Sequence, residues 1–332
     1  MRKITLIIVV LLLTGVLKEA NAQVDPHFSQ YYANPLWLNP ALTGAFDGQT
    51  RITANFKNQW AGIANGYTTG GLSMDFHPTD KVGIGLNILD QAAGSAGYNY
   101  FTGSLSFGYK ISVSDDGYKR LHFGLQAGFI NRSFSPSKLQ LDDQYNPEVG
   151  FDPTLPGFEN FSATNTFVFD SSVGVFYYDA NPDNKVKPFG GVSVAHLTDE
   201  KDPFSVDGLK STLPMRFTVH GGVKINASDF FDITPHLIYI RQQENQIKGL
   251  GAYSEFKLQD DNGLILGGMY EINEAAIADV GYHLKNMVIG ISYDFNTSAL
   301  NTATSGQGGF ELSLNYIFGK KSNSTADVIP MF

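Results

Sequence analysis

The sequence contains no cysteine, so it holds no disulfide, thiolate metal site or cysteine nucleophile. Beyond Leu17 it has no run approaching the roughly 20 apolar residues that a transmembrane helix requires. Charge is scarce as well: Asp, Glu, Lys and Arg make up 17% of the chain, and the net charge is -9. That acidic balance excludes nucleic acid as an expected partner. No phosphate-binding loop, HExxH zinc motif or nucleophile elbow occurs. Pairs such as Gly83-Ile84-Gly85 lack a following helical pattern and read as small residues on one face of a strand. Heptads, linkers and low-complexity tracts are also missing, so nothing divides the chain into separate folding units.

Glycine (35), phenylalanine (25) and tyrosine (16) are abundant, and the apolar residues alternate. In Met287–Phe295, Met287, Ile289, Ile291, Tyr293 and Phe295 alternate with Val288, Gly290, Ser292 and Asp294. Side chains along a strand point to opposite faces with period two, so one face is large and apolar while the other is small or polar. The same pattern recurs from Arg51 to Phe318. Leu105, Phe107, Tyr109 and Ile111 fall on an apolar face; Arg216, Thr218, His220, Gly222 and Lys224 fall on a polar one. A Lys or Arg facing mid-bilayer lipid costs about 2–4 kcal/mol, so this segregation points to an apolar outer wall around a polar lumen. A soluble antiparallel sandwich shares the alternation, but the N-terminus is that of an exported chain. Arg2 and Lys3 precede the apolar Ile4–Leu17, and Ala20-Asn21-Ala22 supplies a small-x-small cleavage pattern before Gln23.

These features predict an all-β fold, a transmembrane antiparallel β-barrel of about 14 strands, within two either way. The expected organisation is a cleaved signal peptide (1–22), an N-terminal periplasmic or lumen-filling segment (23–48), the barrel (49–318) and a short C-terminal tail (319–332). Pro35 and Pro40 keep the N-terminal segment out of a central strand. Short turns are expected at His77–Asp80, Ser112–Tyr118, Asp179–Lys185, Asn226–Phe230, Gln259–Asn262 and Leu284–Asn286. Long loops are expected at Asn131–Asn165, Leu197–Leu213 and Asn296–Gln307. Short turns at one end and long loops at the other are the asymmetry of an outer-membrane barrel; the Glu271–Glu274 connection is the exception, short on the long side.

Asp179, Asn181 and Asp183 have calcium-loop spacing, but Asn184 and Gly190 stand where such a loop needs Gly and Glu, so a hairpin turn is the better reading. His220, His236 and His283 lie on separate strands with no ligand spacing, and no cofactor or metal is expected. Inward Asp75, Asp279, Asp294 and Glu311 face inward Arg51, Lys57, Arg216 and Lys224, as in a hydrogen-bonded or wetted lumen. No residue set demands an enzyme.

Several stretches carry a family resemblance. DPHFSQYYANPLWLNPALTGAF near the start, GGVSVAHLTDEKDPF in the middle, and GGMYEINEAAIADVGYH, IGISYDFNTSAL and GGFELSLNYIF near the end resemble the PorP/SprF family of type IX secretion system membrane proteins. The middle stretch holds a Ser-x-x-His-Leu core, Ser193, His196 and Leu197; Tyr293 and Asp294 mark the penultimate strand. Phe310 stands before Glu311 where the family pattern has His. The resemblance implies an outer-membrane protein of Bacteroidota, beside the type IX secretion and gliding machinery. It implies binding and anchoring, or assisted export, of a large surface adhesin with a type IX C-terminal sorting domain. The residues expected to order the N-terminal segment for docking are Asp25, Asn34, Pro35, Asn39 and Pro40. A small-solute channel and a barrel hydrolase with a Ser-His-acid group at one rim are the other classes the sequence leaves open.

Overall fold

The computed structural model describes residues 25–60, 66–146, 148–152, 154–155, 163–198, 212–259, 261–299 and 301–319. The proposed signal peptide and nearly all of the C-terminal tail lie outside them.

Fourteen antiparallel strands close into one barrel. In chain order these are β1 (Thr50–Gln59), β2 (Tyr67–Thr79), β3 (Val82–Ala93), β4 (Tyr98–Ser112) and β5 (Lys119–Ser133), then β8 (Asn165–Asp179) and β9 (Val186–Ala195). They continue with β10 (Arg216–Ser228), β11 (Phe231–Gln242), β12 (Asn245–Lys257), β13 (Asn262–Glu271), β14 (Ala275–Leu284), β15 (Met287–Asn296) and β16 (Gln307–Phe318). A two-stranded hairpin, β6 (Tyr145–Asn146) and β7 (Gly150–Phe151), sits in the long β5–β8 loop. Each barrel strand pairs with its neighbour in sequence, and β1 closes on β16 with Thr50 opposite Phe318. Closure leaves no open edge, which is what lets strands exist in lipid at all.

The alternation sorts the two faces. Leu105 is 65% exposed and Ile291 46%, whereas Ser106 and Ser292 on the opposite face are buried. β5 and β8 each reach 15 residues, and β5 runs on to Ser133, inside the expected Asn131–Asn165 loop. At the long-loop end the β3–β4 and β11–β12 connections are short.

Residues 25–46 run inside the barrel, from the long-loop end to the short-turn end, before the chain enters β1. The segment is nearly all buried. It forms three short helical turns, Tyr31–Ala33, Pro35–Leu38 and Pro40–Leu42. Pro35 and Pro40 begin two of them, where the missing N–H costs nothing. Asn39 caps the last turn by accepting from the Ala41 N–H at 2.9 Å. Its apolar side chains, including Tyr31, Tyr32, Leu38 and Leu42, share one cluster with Phe176, Tyr178, Phe189, Ile238 and Met269 of the wall.

Candidate functional site

The lumen and its N-terminal plug form the candidate site, because most of the buried charged groups among the described residues, Arg51, Lys57, Asp75, Arg216, Asp294 and Glu311 with Asp25 of the plug, meet there. At the short-turn end, Arg51 of β1 and Asp75 of β2 are fully buried and joined by two hydrogen bonds, Nε to Oδ1 at 2.9 Å and Nη2 to Oδ2 at 2.8 Å. The same pair holds the foot of the plug: Arg51 Nη2 donates to the Leu42 carbonyl at 2.9 Å, and the Gly44 N–H donates to Asp75 Oδ2 at 2.8 Å.

Above the foot, the wall has been thinned to admit backbone. Gly83, Gly108, Gly124 and Gly174 are successive cross-strand partners on β3, β4, β5 and β8. A Cβ on Gly124 would run into the Ala41 nitrogen and the Pro40 carbonyl carbon; one on Gly108 would strike the Thr43 carbonyl; one on Gly174 would strike Asn39 Oδ1. This glycine row seats the turn at Asn39–Gly44, a close approach that no other residue allows.

On the opposite wall, Glu311 of β16 accepts the Ser29 N–H at 2.7 Å and the Gln30 N–H at 3.2 Å. Lys57 Nζ lies 3.2 Å from Asp294 Oδ2, and the Ser29 hydroxyl joins both. At the loop end Asp25 receives His196 Nε2 at 2.5 Å and Arg216 Nη1 at 3.1 Å, while its own N–H donates to Gln242 Oε1. Burial acts to raise the Asp25 carboxyl, but His196 and Arg216 outweigh it and hold it well below the usual range. Burial likewise acts against charging His196, yet Asp25 and Asp170 carry it up to about 9. Asp170 occupies the other ring nitrogen at 3.1 Å, so the imidazole has neither nitrogen left for a nucleophile. Among the described residues, no group of three His, Cys, Asp or Glu side chains is placed to hold a metal.

The family model described as type IX secretion system membrane protein PorP/SprF matches residues 20–316. The chain belongs to the PorP/SprF family. No curated protein matches the sequence. Among solved structures, the Ralstonia pickettii toluene transporter TbuX is similar at 11% identity and a TM-score of 0.51, covering 87% of this chain and 94% of that one. The CymD monoaromatic hydrocarbon channel follows at 10% identity and a TM-score of 0.47, covering 89% and 95%. The Pseudomonas putida toluene transporter TodX stands at 11% and 0.46, covering 88% and 94%. At 11% identity the property shared with TbuX is the barrel itself. This PorP/SprF chain is therefore an outer-membrane-type barrel of the type IX secretion system family, and the short-turn end is the periplasmic one in barrels of this kind.

The residues singled out from the PorP/SprF motifs come together around the plug. Asp25, Asn34, Pro35, Asn39 and Pro40 are all buried in the lumen. Asn39 Nδ2 meets the Val175 and Val192 carbonyls and His220 Nε2 at 3.0–3.3 Å. The Ser193 hydroxyl donates to the Leu38 carbonyl at 3.1 Å, and His196 clasps Asp25. The Asn34 side chain is buried with no partner for either polar atom. Leu197 and Tyr293 point away from this network and are partly exposed; Asp294 belongs to it. Sequence reasoning placed Arg51, Lys57, Asp75 and Glu311 on the inner face without assigning them the plug as partner. Ser29, Gln30 and Gln242 carried no signal of their own.

Proposed function

We propose that this barrel is a docking protein: it binds and anchors, or assists export of, a large secreted surface adhesin carrying a type IX C-terminal sorting domain. It does so beside secretion and gliding components of the periplasm and outer membrane, and it catalyses no reaction. The chain reaches the membrane after cleavage of a signal peptide at Ala22. Family membership supports the machinery. The observation that carries the docking role is the filled lumen: residues 25–46 are bound along it by the Asp25 ion pairs at the loop end and by hydrogen bonds to the buried Arg51–Asp75 pair at the short-turn end. A small-solute channel needs that path open, and the likeness to hydrocarbon transporters extends to fold alone. Specificity belongs to the long loops, which rigid barrel walls present to the outside.

The test is a mild-detergent pull-down of the tagged native protein, with mass spectrometry, alongside single-channel recording of the purified barrel. Near-stoichiometric capture of a secreted adhesin or type IX components, with no conductance, is expected. A lone barrel that conducts would replace docking with the channel.

A further inference from the structure

We propose that the loop end of the lumen contains a receptor site for a cationic side chain, an arginine guanidinium or a lysine ammonium, presented by the exported partner. The inference rests on the docking reading and adds to it the chemistry by which a partner is held. A cavity of about 260 Å³ opens above the plug between β1, β2, β12, β13 and β15. A single water needs about 10–15 Å³ on the same measure, so the space takes a side chain.

Four carboxylates line it, Asp25, Glu271, Glu274 and Asp294; among the described residues only Asp25 and Asp294 have an ion-pair partner, and Lys57 reaches Glu271 only at longer range. Asp25 is matched by His196 and Arg216. Asp294 meets Lys57 through Oδ2, but its buried Oδ1 has no partner. Glu271, only 6% exposed at the end of β13, has a carboxylate with no hydrogen bond or ion pair among the described residues. Glu274, in the turn that follows, is exposed at the mouth and likewise has an unpaired carboxylate. Leaving a buried carboxylate unpaired is costly, and an incoming cation with its own N–H donors removes that cost.

Two further observations narrow the ligand. Trp60 and Tyr67 form an aromatic wall of the same cavity, their rings 5.5 Å apart and tilted by 75°. Aromatic faces attract organic cations. The acids are also too dispersed to converge on a metal ion, since no three of the described His or acidic groups form such a cluster. A broad, flat cation with several donors satisfies spread carboxylates that a bare ion cannot bridge.

The experiment titrates the purified full chain in detergent with a fluorescent Gly-Gly-Arg-Gly-Gly peptide and with its citrulline counterpart, which keeps the shape and lacks the charge. Saturable binding of the arginine peptide is expected, about tenfold or more tighter than citrulline, because a charged hydrogen-bond partner has been removed. Glu271→Gln and Glu274→Gln should each weaken it. Glu274 is exposed, so its variant tests the site even if Glu271→Gln folds poorly. Equal affinity for the two peptides, or binding indifferent to both substitutions, overturns the site. Pull-down by the double variant separates the two ideas. If wild type and variant capture the same secreted protein equally, the cation site fails and docking stands. If wild type captures none, docking fails, and the peptide titration still decides the site.

Discussion

Asp75→Ala tests whether the plug is held by its buried ion pair. The substitution leaves the Arg51 guanidinium, 1% exposed, without its counter-ion, and it also strips the acceptor from the Gly44 N–H. Breaking a buried pair from one side costs about 3–5 kcal/mol, and an orphaned buried donor adds about 1–3 kcal/mol. The first term alone shifts the bound-to-released equilibrium of the foot by between about a hundredfold and several thousandfold. The chain has two tryptophans, and Trp37 lies in the plug beneath the Arg216 guanidinium, 4.4 Å from its ring. Trp60→Phe therefore leaves one reporter of plug release. Urea titration of that background in detergent should show an early Trp37 transition in Asp75→Ala, with barrel strands still intact by circular dichroism. The double change Arg51→Leu with Asp75→Leu should recover much of the loss, since removing both charges also removes their desolvation cost. A single variant with the wild-type midpoint, or a double variant worse than the single, would refute this account of the foot.

Other outcomes follow from the same geometry. Gly124→Leu collides with the plug backbone at Pro40 and Ala41, so it should expel the segment and convert a silent barrel into a conducting one; a silent, folded variant would contradict the seating role of the glycine row. The loop-end clasp is bounded on both sides in pH. His196 has its pKa raised from 6.5 to about 9, so its contribution is complete below 6.5 and lost as pH rises through about 9. Asp25 is depressed from 3.8, so its contribution is present above 3.8 and lost as pH falls further. Plug stability read by Trp37 emission should thus be flat between pH 3.8 and 6.5 and fall both below 3.8 and as pH rises from 6.5 through about 9, and His196→Ala should abolish the alkaline change. Ile291→Arg places a cation on the lipid face at a cost of about 2–4 kcal/mol near mid-bilayer; heat-modifiable mobility on gels should report a smaller folded fraction than for Ile291→Leu.

How much was legible beforehand differs between wall and plug. The alternation in Met287–Phe295 identified β15 and both its faces, because lipid on one side and a polar lumen on the other act on every second residue. The short connection at Leu284–Asn286 and the long one at Asn296–Gln307 likewise followed from turn residues and spacing. The loop end of β5 was not legible: Asn131, Arg132 and Ser133 fall in the expected Asn131–Asn165 loop, yet they pair with Phe167, Thr166 and Asn165 of β8 across it.

By itself, the sequence determined the strands, their orientation and the polarity of the lumen, all properties written in local periodicity. Only the tertiary structure decided what fills the lumen. His196 meets Asp25 across 171 residues, and Glu311 receives the Ser29 N–H across 282. The row of four glycines exists only once β3, β4, β5 and β8 lie side by side. Inside a closed barrel, contacts join whichever strands curvature and register bring face to face, and no spacing along the chain records that.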